Sequence, residues 1–118
     1  MTRCRWFVLA VVVILFLGCT VSEDNRLADL GYQELTKGNY EQAEKYLNEA
    51  LEIYRFNPYA LLNLGVVYQN TGRPEKAREA YNNVISLRPT EKAASSNLES
   101  SSGKSLVEIA KENLNLLK

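Results

Sequence analysis

Leu27-Ala28-Asp29-Leu30-Gly31 (LADLG) returns 34 residues later as Leu61-Leu62-Asn63-Leu64-Gly65 (LLNLG). The same offset, without a gap, pairs Gly38 with Gly72, Ala43 with Ala77, Leu47 with Tyr81, Ala50 with Val84 and Leu51 with Ile85. Self-similarity at one fixed period marks a repeat architecture, in which each unit buries its apolar face only by stacking on the next. Glycines 31 and 65 fall where two helices must approach closely, and Gly38 and Gly72 are placed to end helices in a left-handed cap. Asn39, with Gln42 three residues on, has the spacing of a capping box. Asn57-Pro58 sets an N-cap before a proline at the first helical position, and Pro74 opens the fourth segment in the same way. The pattern predicts helices near 24–37, 40–55, 58–71 and 74–87.

At this period and with these residues the chain resembles the tetratricopeptide repeat, whose positions call for an aromatic, Leu-Gly, Tyr, a small Ala, an aromatic and Pro. The second copy, 58–91, has Leu61, Leu64-Gly65, Tyr68, Ala77, Tyr81 and Pro89, and lacks the first aromatic. The first copy, 24–57, has Leu27, Leu30-Gly31, Ala43 and Leu47, with Glu34 in the tyrosine slot and Arg55 in the proline slot. The resemblance covers 24–91 and implies an all-α fold, a short solenoid of antiparallel helix pairs.

Two such repeats rarely bury a continuous core, so residues 92–118 are expected to supply a degenerate third helix pair and a capping helix. Asn97 and Leu98 continue the offset from Asn63 and Leu64, while Glu99 takes the glycine slot, so 91–100 reads as a shortened first helix. Beyond Ser100-Ser101-Ser102, Ser105 and Glu108 form an S-x-x-E capping box. Leu106, Ile109, Ala110, Asn113, Leu114 and Leu117 then recur at helical spacing, with Lys111 and Lys118 outside the stripe. This helix is expected to pack on the fourth and close the solenoid. The sequence leaves open a detached helix on a Ser/Gly linker that docks onto a partner.

Residues 1–6 (MTRCRW) carry two arginines and no acid, Phe7–Leu17 are eleven consecutive apolar residues, and Gly18 follows. A transmembrane helix needs about 20 apolar residues, so a basic start, a short apolar run and a small residue read as a secretory signal, 1–18. Leu15-Phe16-Leu17-Gly18-Cys19 resembles the lipobox of bacterial lipoproteins, which implies cleavage before Cys19, acylation of its sulfur and a tether over 19–23. Two or more acyl chains anchor a protein stably where one does not. Thr20 is not the aspartate that retains many such proteins at the inner membrane, so the resemblance favours a periplasm-facing lipoprotein of the outer membrane. Without acylation the segment reads as an uncleaved anchor or an ordinary cleaved signal.

Charge and composition narrow the function. Basic and acidic residues balance at 14 each; without Arg3 and Arg5 the counts are 12 and 14, a net of −2. That gives no basic footprint for nucleic acid. The chain has no histidine, which removes the usual general base, the Ser-His and Cys-His pairs and the commonest metal ligand. Cys4 leaves with the signal, so the exported part has no disulfide option. No metal, cofactor or catalytic residue is expected. Gly103-Lys104-Ser105 looks like the end of a P-loop, but Leu98 stands where its first glycine belongs. Glu41, Glu44, Glu49 and Glu52 read as the solvated face of the second helix, with Glu41 and Lys45 as an i, i+4 pair. An enzyme accessory, or a hydrolase using carboxylates alone, is the rival reading from another class.

The tetratricopeptide resemblance places a ligand surface on the concave face lined by the first helix of each pair. Those positions are Asn25, Ala28, Asp29, Tyr32 and Leu35, then Tyr59, Leu62, Asn63, Val66, Gln69 and Asn70. The expected protein-binding groove is Tyr32, Leu35, Tyr59, Leu62, Asn63, Val66 and Asn70. Asn63 carries both donor and acceptor for an extended peptide, and the tyrosines offer apolar area with a polar tip. Asn63 also matches one asparagine of the family's carboxylate clamp. The other clamp positions fall on Ala28, Tyr32, Ala93 and Asn97, so its cations are missing. The expectation is a non-enzymatic, lipid-anchored adapter that binds a protein or peptide partner at the cell envelope, in the manner of lipoproteins that assist pilus or secretion assemblies. The alternative is a structural lipoprotein that self-associates into homo-oligomers.

Overall fold

The computed structural model describes residues 20–89 and 103–117. The expected signal peptide, Cys4, Cys19 and the shortened helix at 91–100 lie outside the described residues. Among the described residues five helices follow in order: α1 Glu23–Thr36, α2 Tyr40–Ile53, α3 Pro58–Asn70, α4 Pro74–Leu87 and α5 Leu106–Leu116. The bounds of the first four agree with the sequence reading to within two residues.

The ends are set by local chemistry. Gly38 (φ 80°) and Gly72 (φ 72°) take the left-handed conformation that closes α1 and α3. Gly38 N–H then donates to Leu35 O and Asn39 N–H to Glu34 O, and Arg73 N–H reaches Tyr68 O in the same way. This satisfies carbonyls that a helix end leaves orphaned. Asn57 caps α3, accepting from Ala60 N–H at 3.0 Å, with Pro58 next in line. At Asn39 the structure corrects the expectation. Its side chain makes no cap bond; the amide donates instead to Glu34 Oε2 at 2.8 Å, so the spacing with Gln42 is present without the capping box.

Parallel contacts between like helices fix the stacking. Asn57, at the start of α3, bonds Asp24 at the start of α1, and Arg73, just before α4, bonds Glu44 near the start of α2. α1 and α3 therefore run one way and α2 and α4 the other. Leu27, Ala28, Ala43, Leu47 and Ala50 of the first pair bury against Ala60, Leu64 and Val67 of α3. The opposite flank of α3, through Leu61 and Leu62, joins Ala77, Tyr81 and Val84 of α4. α3 carries no charged residue, as a helix buried on more than one side requires.

α5 packs on both α4 and α3, the place the first helix of a third pair would hold. Leu106 is 1 % exposed and Ala110 fully buried in the cluster with Tyr81 and Val84. Complete burial of one leucine side chain is worth about 1.5–3 kcal/mol, so this helix closes the solenoid and is not detached. The Ser105–Glu108 capping box forms in both directions. The fragment that looked like a P-loop is this helix start: Gly103 is left-handed, Lys104 pairs with Glu112 at 2.8 Å and Ser105 caps. Arg78, at the start of α4, donates to Leu117 O at the far end of α5 at 2.9 Å, which sets α5 antiparallel to α4.

Candidate protein-binding groove

The inner face is built by α1 and α3, and it can open only because their partner helices come close behind them. Gly31 lies against Leu47 of α2, and Gly65 against the ring of Tyr81 of α4. Tyr81 is fully buried and its hydroxyl donates to Gln69 Oε1 at 2.7 Å. Burial pushes this phenol well above its ordinary pKa, against a smaller opposing effect of a hydrogen bond with Asn113. It is a neutral structural strut.

Most polar groups predicted to line the face already have internal partners. Asn25 Oδ1 accepts from Asn57 at 2.9 Å, and Asp29 Oδ2 from Gln33 at 2.9 Å. Gln69 is held by Tyr81, and Asn70 donates to Val66 O at 2.8 Å, back onto its own helix. Two groups remain free among the described residues. The half-buried Asn63 amide makes no hydrogen bond there, and the hydroxyl of half-buried Tyr32 is enclosed without a partner. A buried unsatisfied hydroxyl costs about 1–3 kcal/mol.

The apolar members divide differently. Leu62 is only 7 % exposed and belongs to the cluster sealed by Leu106 and Ala110. It is a core residue and leaves the groove, because α5 lies over it. Ala28, at 2 %, is likewise core. Leu35 packs half-buried on the first cluster, Val66 on the second and Tyr59 on both. Asn25 and Tyr59 also edge a hollow of about 460 Å³ that reaches Ser22, Tyr54 and Asn57. The face that remains comprises Tyr32, Leu35, Tyr59, Asn63, Val66 and, at its rim, the exposed Asn70. No group of acidic or cysteine side chains among the described residues could hold a metal ion.

Two polar joints of the structure escaped the sequence reading. Asn57, 1 % exposed, donates to Asp24 Oδ2 at 2.8 Å and to Asn25, tying α3 to the first turn of α1. Burial works against the Asp24 charge, but the bonds from Asn57, Ser22 and the Asp24 and Asn25 amides prevail and hold its carboxyl below the usual range. Glu44, assigned to the solvated face, instead takes Arg73 in a bidentate pair at 3.0 and 2.7 Å. The Arg73 hydrogen bond lowers the Glu44 pKa. Arg73 also stacks 4.7 Å over the Tyr68 ring. The expected Glu41–Lys45 pair is not formed; both residues point to water.

The sequence profile of the tetratricopeptide repeat matches residues 24–90. A TPR repeat-containing protein of Methanocaldococcus jannaschii is 33% identical over 58 residues, 49% of this chain and 18% of that protein. The chain thus spans less than a fifth of the length of that relative.

Proposed function

The chain belongs to the tetratricopeptide-repeat family, and from that premise we propose that it is a non-catalytic adapter, held to a membrane through acylated Cys19, whose inner face binds an extended segment of another protein. The observation that carries the binding half is the free amide of Asn63 between half-buried Tyr59 and Val66 on α3. A side-chain amide satisfies both the N–H and the C=O of one residue of an extended strand, and flanking aromatic and aliphatic surface supplies the apolar contact that anchors such a segment. Among the described residues the face presents no lysine or arginine, so a mid-chain segment suits it better than a free C-terminal carboxylate. The anchoring half rests on the Leu15–Cys19 motif, and with it goes a place among envelope assemblies such as pilus or secretion complexes. No described helix is long and apolar enough to cross a membrane.

A photo-crosslinking residue at Asn63 in living cells, with the exposed Lys45 of α2 as control, tests the groove. Adducts to one foreign protein from position 63 alone support the adapter. Adducts to the chain itself indicate a structural oligomer, and none beyond the control refutes the groove. Cys19→Ala tests the anchor, which predicts loss of fatty-acid labelling and an unprocessed precursor.

A further inference from the structure

Six large apolar side chains among the described residues are at least a third exposed: Val21, Ile53, Tyr54, Phe56, Leu87 and Leu116. Their placement is one-sided. Because α1, α3 and α5 begin, and α2 and α4 end, at the same edge of the stack, all but Leu116 gather there. The opposite edge is made by the turns Lys37-Gly38-Asn39 and Thr71-Gly72-Arg73. At the apolar edge the rings of Tyr54 and Phe56 meet edge to face at 6.0 Å. The Arg55 guanidinium lies 4.5 Å over Phe56, and neither Arg55 nor Arg88 has an acidic partner among the described residues. Glu52, exposed one turn back, is the acidic neighbour in sequence.

The same edge receives the N-terminal tether. Ser22 and Tyr54 line one hollow, and Asn57 locks that loop to Asp24. Cys19 is four residues from Glu23, where α1 begins. A fully extended chain covers at most about 3.6 Å per residue, so the helix starts within about 14 Å of the Cys19 backbone. The headgroup region of one leaflet takes up about 5–8 Å of that reach. A domain on such a leash cannot stand clear of the bilayer, and the edge it must turn toward the lipid is the aromatic one.

We infer that this edge, Val21 with Ile53–Phe56 and Leu87, seats in the headgroup layer of the membrane that carries the acyl chains, an inference that rests on the lipid-anchored reading above. Tyr54 and Phe56 supply the amphipathic and apolar rings that partition to a membrane interface, and Arg55 and Arg88 reach lipid phosphates from the same loop ends. The consequence is an orientation. The helices stand away from the surface, and the groove, which crosses them, runs parallel to it.

Tryptophan reports the seating without interference, because the sole native tryptophan, Trp6, precedes the cleavage point. The full acylated protein carrying Phe56→Trp is reconstituted in phosphatidylethanolamine–phosphatidylglycerol vesicles doped with brominated phosphatidylcholine. Lys37→Trp serves as the control; the 14 residues of α1 place it about 21 Å farther away. The expected result is blue-shifted, bromine-quenched emission at position 56 and unquenched emission at 37. A protein that is acylated and vesicle-bound but unquenched at both positions overturns the seating and leaves the anchor intact. Equal quenching at both also overturns it, since the domain then lies on its side. A mature chain whose mass shows no acyl group removes the anchor, and the seating with it.

Discussion

Substituting alanine for Gly65 tests how closely α3 and α4 pack, and with it the physical basis of the repeat. In an exposed helix the change is favourable by about 1 kcal/mol, since glycine is the poorer helix former. Here a β-carbon would come within 2.7 Å of Tyr81 Cδ1 and 2.9 Å of Cζ, and closer still to Cε1. Ordinary carbon contacts are about 3.5–4.0 Å, so the ring or the helix must give by about an ångström. Tyr81 has little freedom to give, being wholly buried and pinned through its hydroxyl to Gln69. Overpacking of this kind costs about 1–3 kcal/mol. After the propensity gain is set against it, Gly65→Ala should destabilise by up to about 2 kcal/mol. Near the midpoint that corresponds to a fall of about 4–8 °C per kcal/mol in Tm for a domain of this size. Urea titration followed by circular dichroism, with an unchanged m-value, gives the number.

A double-mutant cycle isolates the cause. In a Tyr81→Ala background, held folded with trimethylamine N-oxide, the new methyl has room. Gly65→Ala should then stabilise by up to about 1 kcal/mol. The sign should reverse, with a coupling of about 1–3 kcal/mol, within the range for contacting residues. If Gly65→Ala stabilises in both backgrounds, the close approach is not what the glycine serves, and the glycine shared by LADLG and LLNLG has no role in pairing the helices.

Asn57→Ala removes a helix cap and one donor to a buried carboxylate together, and should cost about 2–3 kcal/mol in urea titration; a cost near zero would mean that water replaces both bonds. Asp24, whose folded pKa lies below its unfolded one, contributes stability above about pH 4 that is lost as the pH falls through the folded value. Asp24→Asn should therefore lower the neutral plateau yet flatten the acid limb below pH 4, and an unchanged acid limb would count against the charge-holding role. Ser105→Ala should weaken the start of α5 by about 1 kcal/mol. Hydrogen exchange should then show α5 amides exchanging about fivefold faster while those of α1 are unchanged.

The fold was legible because it is written in local and periodic signals. Glycine at a left-handed cap, proline at a first turn and a serine with glutamate three on each act within a few residues, and the 34-residue offset aligned the copies. The joints between repeats were not legible. Arg73 reaches Glu44 across 29 residues, and only the supercoil of one pair on the next decides that the two meet. Asn39 shows the limit from the other side: its spacing satisfied a capping rule, but Glu34, brought near by the tight turn at Gly38, is the better partner.

For the groove, helical period gives the angle at which a side chain leaves its helix, and nothing about what the next helix lays over it. Leu62 and Val66 share an angle on α3, yet α5 takes Leu62 into the core and leaves Val66 half-exposed. A better filter follows from hydrogen bonds, which are saturable. A polar side chain already bonded within the fold must give up that bond to meet a ligand, while one left free does not. Applied to α1 and α3, the filter sets aside Asn25, Asp29, Gln69 and Asn70 and keeps the partly exposed Asn63, while the Tyr32 hydroxyl, though unpaired, is enclosed. It therefore ranks Asn63→Ala above Asn70→Ala as the substitution that weakens partner capture, although periodicity alone treats the two asparagines alike.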